Sequence, residues 1–252
     1  MTREVAGGPV LTFLVRAAGE FEPGGWIFTG FHWPLLAAAL ARRLSGDSFV
    51  QVFEAGAGCN TTLPAFPTST TDYPAYAGAM CYRGNTSDVV LSMARRLDRV
   101  LLDAGTVDVR GRVNSTAIGE YRRASVRLPG GGGAPDVAAA AADLVLLHGG
   151  ADPQRIQAHV EHVTSRPADG ASVRLITRWG VVRLGKEPRL IERFQAPSAD
   201  GFEDRLREIG VAIDGSLELS RADDASLSAA VEVVTDAAAR GYQVAKVALI
   251  TG

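Results

Sequence analysis

Residues 26–54, WIFTGFHWPLLAAALARRLSGDSFVQVFE, carry the pattern that decides the fold. The apolar run WIFT predicts a short strand, and Pro34 then opens an alanine-rich helix that ends before Gly46. Proline near the start of a helix and glycine just past its end frame it consistently, because the first turn does not use the N–H that proline lacks. Phe49–Phe53 predicts the next strand, which delivers Glu54.

Helices and strands also alternate outside this stretch. Pro9–Ala18 predicts a helix before it, so the first fifty residues spell helix, strand, helix, strand. This alternation is typical of an α/β fold with parallel strands. Cys59–Gly84 is rich in Thr, Pro, Gly, Tyr and Ser and is expected to be a long loop. Strands are expected at 99–102, 126–128, 144–148, 173–177 and 181–184, helices at 87–96, 134–143 and 225–240, and a last strand or tail at 244–250.

The composition is that of a globular protein. The chain has 252 residues, of which 46% are hydrophobic and 21% charged, with a net charge of −2. Basic and acidic residues are interspersed, so no basic stripe favours nucleic acid. The apolar stretch Val10–Val15 is too short for a membrane span or a secretory signal. We expect a cytoplasmic protein with one domain over residues 1–252 that binds neither membrane nor nucleic acid.

Cysteines and histidines predict no metal site and no disulfide framework. The chain has two cysteines and four histidines, and their spacing matches no zinc motif. So few cysteines in a chain of this length indicate a reducing compartment. Cys59 lies close to Glu54 in sequence, and a small buried thiol is favoured there over a nucleophile.

The segment VRLPGGGGAPD at 126–136 holds four consecutive glycines, Gly130–Gly133, between a predicted strand and a predicted helix. Pro135 fits the first turn of that helix, so the glycines predict free N–H groups at its start, where negative charge is favoured. A dinucleotide fingerprint needs glycine at the position of Pro135, and a phosphate loop needs Gly-Lys-Ser/Thr after the glycines. Two interpretations remain: close approach of the backbone to an anionic ligand, or a flexible surface loop.

Glu54 ends an apolar run and is followed by small residues, Ala55–Gly58. A carboxylate at a strand end often caps the next turn or pairs with an arginine. Alternatively, a partly desolvated carboxylate beside backbone donors can act as a nucleophile. The two interpretations stay open on the residues alone.

Two further segments bear a resemblance to a known family. DVRGRVNSTAIGEY at 108–121, followed by VRLPGGGGA at 126–134, closely resembles the family I CoA-transferases, and in particular the B subunit of the glutaconate CoA-transferase type. The helix that Pro34 opens and the run FEAG at 53–56 resemble the same family in the same order. The likeness extends over roughly residues 25–200.

The resemblance implies a three-layer α/β/α fold with a mostly parallel sheet, shared with ribose-phosphate isomerases, and a separate A (alpha) subunit as partner. It implies that Glu54 attacks an acyl-CoA thioester to give an acyl-glutamyl anhydride and CoA thiolate. The thiolate returns to form a glutamyl-CoA thioester, which the acceptor carboxylic acid resolves. Coenzyme A is thus a substrate, and no permanently bound cofactor is expected.

Further site residues follow from this likeness. Gly131, Gly132, Gly133 and Ala134 are expected either to donate N–H groups to the oxyanion of the tetrahedral intermediates or to hold part of CoA. Gly56, Asn114 and Arg127 are candidates for a substrate loop. Arg127 and its neighbours Arg122 and Arg123 would meet a dicarboxylate, bind CoA phosphates or remain solvated.

The chain also departs from the family pattern. Gly105–Asp108 stands where the family usually has Ala-Gln-x-Asp, and Gly111-Arg112 replaces Gly-Asn. Phe31-His32-Trp33 replaces small residues, and bulk at Phe31 and Trp33 would alter the cleft if they face it. An altered pocket favours a second hypothesis, an acyl-CoA hydrolase, decarboxylase or C–C bond-cleaving enzyme with Glu54 as general base. A third is a non-catalytic subunit.

Overall fold

A ten-stranded mixed sheet forms the centre of the fold. It is seen in a computed structural model that describes residues 8–69, 72–196 and 199–251. The strands of this sheet are β1 (Trp26–Thr29), β2 (Val50–Val52), β3 (Ala57–Cys59), β4 (Met80–Arg83), β5 (Arg99–Asp103), β9 (Asp143–His148), β11 (Ser172–Thr177), β12 (Gly180–Arg183), β13 (Arg189–Phe194) and β14 (Leu219–Ser220). Two small two-stranded sheets comprise β6 (Val107–Asp108) with β10 (Ile156–Gln157), and β7 (Ala117–Ile118) with β8 (Val126–Arg127).

Helices cover both faces of the sheet. Over the described residues they are α1 (Pro9–Ala18), α2 (Trp33–Ser45), α3 (Tyr73–Tyr76), α4 (Ala134–Ala140), α5 (Ala199–Glu208), α6 (Asp224–Ala239) and α7 (Gln243–Thr251). Residues 88–96 add a π-helical and a 3₁₀ turn. None of the helices in the described ranges combines the length and the apolar character needed to cross a bilayer.

The order of the strands in the sheet is β14-β13-β12-β11-β9-β5-β1-β2-β3-β4. Five central strands, β11, β9, β5, β1 and β2, run parallel, as predicted. Antiparallel pairs join β12 to β11 and β13 on one side and β3 to β2 and β4 on the other, and the edge strand β14 pairs parallel with β13. From β1 the chain goes first to β2 on one side and later to β5 on the other. Strand order therefore reverses between β1 and β5, and ligands of open α/β sheets bind outside the carboxyl ends of strands at such a point.

Alternating side chains of the central strands build two separate cores. In β9, Val145 and Leu147 join the core under α1, α2, α6 and α7. Leu144 and Leu146 of the same strand join the core under α4, α5 and the turns at 88–96. The three-layer α/β/α architecture expected from the resemblance is thereby confirmed.

An ion network ties α1 to the amino ends of the central strands. Glu20 is only 4% exposed. Its carboxylate accepts hydrogen bonds from Arg16 at 2.6 Å and Arg174 at 2.8 Å, and lies 3.2 Å from the guanidinium of Arg99. Asp143 bonds both Arg99 and Arg174. The network lies at the opposite end of the sheet from the carboxyl ends of the strands.

Three parts of the sequence-based assignment were wrong or incomplete. Residues 244–250, expected as a strand or tail, lie in α7, where Ala245 and Ala248 are buried at a helical spacing. A short apolar run of this kind does not distinguish strand from helix by its pattern alone. The expected long loop at 59–84 contains the end of β3, then α3 and β4, and the sequence analysis missed β13 and α5.

Candidate active site

A cavity of about 580 Å³ opens at the carboxyl ends of β1 and β5, where strand order reverses. Its walls come from the segments that follow these two strands, from the turn after β2, and from the loops before β7 and α4. The lining residues include Phe28, Phe31, His32, Glu54, Leu102, Asp103, Asn114, Leu128, Gly131, Gly132, Ala134 and Arg155.

Glu54 reaches the cavity because it sits in the tight turn between β2 and β3. The N–H of Phe53 donates to the carbonyl of Ala57 at 2.8 Å, and the N–H of Gly56 donates to the carbonyl of Phe53 at 3.0 Å. Phe53 is buried and stacks on Tyr76 with ring centroids 4.9 Å apart. Burial of Phe53 on one side of the turn leaves the half-buried Glu54 side chain on the cavity wall.

The carboxylate of Glu54 has no hydrogen bond or ion pair with any of the described residues. It therefore neither caps the turn nor pairs with an arginine in this part of the structure, which were the alternatives to a reactive role. A partly buried and unpaired carboxylate has both oxygens available for an incoming ligand.

The glycine turn packs directly on this carboxylate. A Cβ atom on Gly132 would lie 3.2 Å from Glu54 Oε2, and one on Gly133 would lie 2.9 Å from Glu54 Cδ. One on Gly131 would lie 2.8 Å from Pro135 Cγ. The glycines are thus needed for close approach of the backbone to Glu54.

Two hydrogen bonds fix the glycine turn. Gly130 donates its N–H to the carbonyl of Ser115 at 2.8 Å, and Ala134 donates to the carbonyl of Gly131 at 2.9 Å. Over the stretches that the structure covers, the N–H groups of residues 131–133 have no hydrogen-bond partner. The turn therefore offers unused donors next to Glu54.

Asn114 lines the cavity, but its side chain is engaged by its own loop. Its amide donates to the carbonyl of Ala117 at 2.8 Å, and its oxygen accepts the N–H of Thr116 at 3.0 Å. The neighbouring Ser115 donates its N–H to Thr164 Oγ1 at 2.8 Å while its carbonyl holds Gly130. The segment thus shapes the cavity wall that carries the glycine turn.

Two other candidates from the sequence lie away from the cavity. Gly56 has a φ of 104°, and a side chain there would overlap the backbone of Gly84, so this glycine serves the packing of the two turns. Arg127 donates to the carbonyl of Tyr121 and lies with its guanidinium 4.6 Å from the centre of that ring. Neither residue lines the cavity.

Sequence reasoning missed a pair formed by His32 and Asp103, which both line the cavity. His32 Nδ1 lies 2.8 Å from Asp103 Oδ2. This hydrogen bond raises the pKa of His32 above its usual value, against the opposing effect of partial burial. Asp103 ends β5 and His32 lies shortly after β1, and the two residues meet because these parallel strands are neighbours in the sheet.

The residues beside His32 point in different directions. Phe31 lines the cavity, as the departure from the family pattern allowed. Trp33 is buried in the core instead, packs edge-on against Phe13 at 5.3 Å between ring centroids, and lies against Gly149. The bulk of Trp33 therefore does not enter the cleft.

Cys59 is fully buried, and burial raises the pKa of its thiol to about 12. A thiol with such a pKa is protonated at neutral pH and is not a nucleophile. This agrees with its interpretation as a small buried residue.

Known proteins similar to this chain share its fold and parts of its sequence, although no family model matches it. The chain is 33% identical over 134 residues to the B subunit of 3-oxoadipate CoA-transferase from Pseudomonas knackmussii; the match covers 53% of this chain and 51% of that protein, about half its length. Its identity to the B subunit of glutaconate CoA-transferase from Acidaminococcus fermentans is 22% over 232 residues, or 84% of this chain and 86% of that protein.

Solved structures extend the likeness over nearly the whole chain. The decarboxylase AibA/AibB superposes with a TM-score of 0.74 and 25% identity, covering 89% of this chain and 93% of that one. Glutaconate CoA-transferase of Acidaminococcus fermentans superposes with a TM-score of 0.72 and 23% identity, covering 87% and 92%, which supports the fold. The sequence and structural relatives agree, and this chain is similar to the B subunits of CoA-transferases.

Proposed function

We propose that this chain is the B subunit of a heteromeric CoA-transferase that moves CoA between an acyl-CoA and a carboxylic acid through a glutamyl-CoA thioester. One observation carries the proposal. The unpaired carboxylate of Glu54 projects into a cavity and lies against a glycine turn in which the N–H groups of residues 131–133 are unused. The names of the sequence relatives support the same reaction class.

In the proposed reaction, a carboxylate oxygen of Glu54 attacks the thioester carbon of the acyl-CoA. The C–S bond breaks, which leaves an acyl-glutamyl anhydride and CoA thiolate. The thiolate then attacks the glutamyl carbonyl and releases the acyl group as a carboxylate. A second carboxylic acid takes CoA by the same steps in reverse, and the carboxylate of Glu54 is regenerated.

Each attack places negative charge on the former carbonyl oxygen. Backbone N–H groups of Gly131, Gly132 and Gly133 are the proposed donors for this oxyanion or for part of bound CoA. The N–H of Ala134, also expected from the resemblance, is already donated to the carbonyl of Gly131. Donors that are already in place at the point where charge develops stabilise the transition state without reorganisation. The glycines allow this because a side chain at 133 would collide with Glu54 and one at 132 would crowd its carboxylate.

The proposed partner is an A subunit, since both sequence relatives are named as the B subunits of their enzymes. We propose that the whole chain over residues 1–252 acts as one subunit domain, with acyl-CoA and a carboxylic acid as its substrates. A cytoplasmic location is proposed as well, and the two unpaired cysteines are consistent with a reducing compartment.

Borohydride trapping tests the proposal. The complex of this chain with its A subunit is incubated with an acyl-CoA and then reduced, which converts a glutamyl thioester into a primary alcohol. The expected result is a tryptic peptide in which the Glu54 side chain has lost one oxygen and gained two hydrogens. Glu54→Gln should lose both the adduct and transfer, with kcat falling by about 10⁴-fold or more.

Glu218 supplies a matched control, because it is exposed and lies outside the cavity. Glu218→Gln should form the adduct at the wild-type rate. Transfer that survives in Glu54→Gln, or a reduced carboxyl at another position, would remove Glu54 from the nucleophilic role.

A second candidate is a decarboxylase on the same scaffold, with Glu54 as a general base. The structural likeness to the decarboxylase AibA/AibB favours it. Release of CO₂ from an acyl-CoA in the absence of any acceptor acid, without an adduct on Glu54, would support this candidate over CoA transfer.

A further inference from the structure

We infer that Thr164 is a positioning residue whose side chain holds the glycine turn against Glu54. This role rests on the proposed function, because it concerns the placement of the N–H groups that are proposed there as donors to the oxyanion. Thr164 does not line the cavity itself. It acts through the backbone of Ser115 and through a direct contact with Gly131.

The backbone of Thr164 is fixed independently of its side chain. The N–H of Thr164 donates to the carbonyl of Val113 at 2.9 Å, and Val113 donates its N–H to the carbonyl of Ser165 at 3.0 Å. Val113 and Ser165 form an antiparallel bridge, and both residues are buried. The side chain of Thr164 therefore starts from a fixed point, and these backbone bonds do not involve it.

The hydroxyl of Thr164 holds the segment 115–116. Thr164 Oγ1 accepts the N–H of Ser115 at 2.8 Å and shares a hydrogen bond of 2.7 Å with Thr116 Oγ1. Over the residues that the structure covers, the N–H of Ser115 has no other acceptor. A backbone N–H that loses its acceptor away from water is costly, so the hydroxyl fixes where Ser115 lies.

The segment 115–116 in turn holds the chain that enters the glycine turn. The carbonyl of Thr116 accepts the N–H of Leu128 at 3.1 Å, and the carbonyl of Ser115 accepts the N–H of Gly130 at 2.8 Å. A single residue, Ser115, thus connects the hydroxyl of Thr164 with the first glycine of the turn.

The methyl group of Thr164 contacts the turn directly. A Cβ atom on Gly131 would lie 2.9 Å from Thr164 Cγ2 and 2.8 Å from Pro135 Cγ, so Gly131 is enclosed between these two side chains. Two residues later, a Cβ atom on Gly133 would lie 2.9 Å from Glu54 Cδ. The turn therefore packs between Thr164 and the carboxylate.

The turn needs such support because it has few bonds of its own. Glycines have little intrinsic preference for one conformation, and Gly130 and Gly132 have positive φ values of 91° and 51°. The N–H groups of residues 131–133 make no hydrogen bonds within the described part of the chain. Donors to a developing oxyanion must be in place before the charge forms, so the support has to come from outside the turn.

Timed borohydride trapping of the complex with its A subunit tests this role through two variants. Thr164→Val keeps the shape and replaces the hydroxyl by a methyl group, which also keeps water out of its place. The single-turnover rate of Glu54 adduct formation and kcat should both fall by about 10- to 100-fold, as for a displacement of up to about 1 Å. KM for the acyl-CoA should change by less than about threefold, because no residue that lines the cavity is replaced.

Thr164→Ser retains the hydroxyl and loses only the methyl group. Its adduct rate should lie within about threefold of wild type, because the hydrogen bond to Ser115 remains. Rescue by the hydroxyl separates positioning by this hydrogen bond from a general requirement for a side chain of this shape.

Amide hydrogen exchange over residues 128–134 gives a readout that does not depend on turnover. Thr164→Val should speed the exchange of the Gly130 N–H, because its acceptor on Ser115 is no longer held in place. Thr164→Ser should exchange as the wild type does.

Thr177 supplies the control for a buried hydroxyl in a turn away from the site. Its Oγ1 donates to the carbonyl of Gly180 at 2.9 Å and accepts the N–H of Trp179 at 3.1 Å, and it does not line the cavity. Thr177→Val should lower the melting temperature and leave the adduct rate of the folded complex unchanged. Thr235→Val, at an exposed position of α6, should alter neither.

A wild-type adduct rate in Thr164→Val would overturn the inference, even with faster exchange at Gly130, because the turn would then be held without consequence for Glu54. An equal loss of rate in Thr164→Val and Thr164→Ser would overturn the role of the hydroxyl. Failure of the proposed function appears differently, as a missing adduct in the wild-type complex. In that case unchanged exchange at Gly130 in Thr164→Val would also overturn the hold of Thr164 on the turn.

Discussion

The position of the Glu54 carboxylate depends on the absence of a side chain at the neighbouring Gly133. Gly133 has no side chain, and a methyl group there would lie 2.9 Å from Glu54 Cδ and 3.0 Å from Val90 Cγ1. At these distances a neighbour has to shift, and a shift of Glu54 into the cavity would move its carboxylate away from the turn. Gly133 is thus a determinant of where the carboxylate points, and its replacement is a probe of the site that removes no functional group.

Gly133→Ala should lower kcat/KM for transfer by about 10²-fold, because a displacement of the attacking atom by about 1 Å has an effect of this size. Steady-state kinetics of the complex measure it. Gly201→Ala in α5 is the control, since nothing lies within 4 Å of the added methyl group, and it should keep wild-type kinetics. Wild-type kinetics in Gly133→Ala would mean that the glycine turn does not set the geometry of Glu54.

Sequence alone was sufficient to single out Glu54 and the glycine turn, because each has a local signature: a carboxylate after an apolar run, and four glycines before an alanine helix. The pair of His32 and Asp103 has no such signature. The two residues are 71 positions apart and meet only because β1 and β5 are neighbours in the sheet. Strand order is a property of the whole sheet, and the sequence pattern does not encode it locally.

At the scale of elements, the start of α2 is locked to the end of β9. Trp33 in the first turn of α2 lies against Gly149, which directly follows β9, and a methyl group on Gly149 would overlap the indole ring. The contact fixes how the helix leaves the sheet. It also explains why the bulk of Trp33 is turned away from the cavity that His32 faces.

Gly149→Ala should lower the free energy of unfolding by about 1–3 kcal/mol, the usual effect of an extra methyl group in a packed core. Denaturant unfolding checks it. Gly105→Ala, at the matching position after β5, meets nothing within 4 Å and should change stability by less than about 0.5 kcal/mol. In a Trp33→Phe background the effect of Gly149→Ala should shrink by about 1 kcal/mol if the indole is the obstacle.

Elements that are flanked by helix-start and helix-stop residues were predicted well from the sequence, and elements that lack such residues were not. The proline and glycine that flank α2 gave its bounds to within a residue or two. The run at 244–250 has neither signal, and its helical form comes from packing of α7 on α6. The local sequence pattern does not specify tertiary contacts of this kind, and for that reason the predicted strand at 244–250 was wrong.

In the whole molecule, the residues expected to contribute to stability and those expected to act in catalysis lie at opposite ends of the central strands. Glu20 and its arginine partners lie at the amino ends of the central strands, whereas the cavity lies at their carboxyl ends. Removal of a buried carboxylate shared by three arginines leaves their charge compensated only in part, by Asp143 and Glu192. The network should therefore matter for folding and not for catalysis.

Glu20→Gln should lower the free energy of unfolding by about 3 kcal/mol, while kcat/KM measured well below the melting temperature stays within about twofold of wild type. Glu22→Gln is the matched control. Glu22 also contacts Arg99, at 3.0 Å, but its side chain is 70% exposed, so its loss should change stability by less than about 1 kcal/mol. A marked loss of activity in Glu20→Gln would contradict the separation.

The reversal of strand order between β1 and β5 has a consequence for how such a pocket diversifies. The segment after β1 continues into α2 in one outer layer, whereas the segment after β5 leads towards α4 in the other. The two walls of the cavity thus pack on different cores, so the residues of one wall can be substituted without changing the other. A gene library limited to codons 31, 32 and 103 would vary both walls of the cavity while leaving Glu54 and the two large cores unchanged.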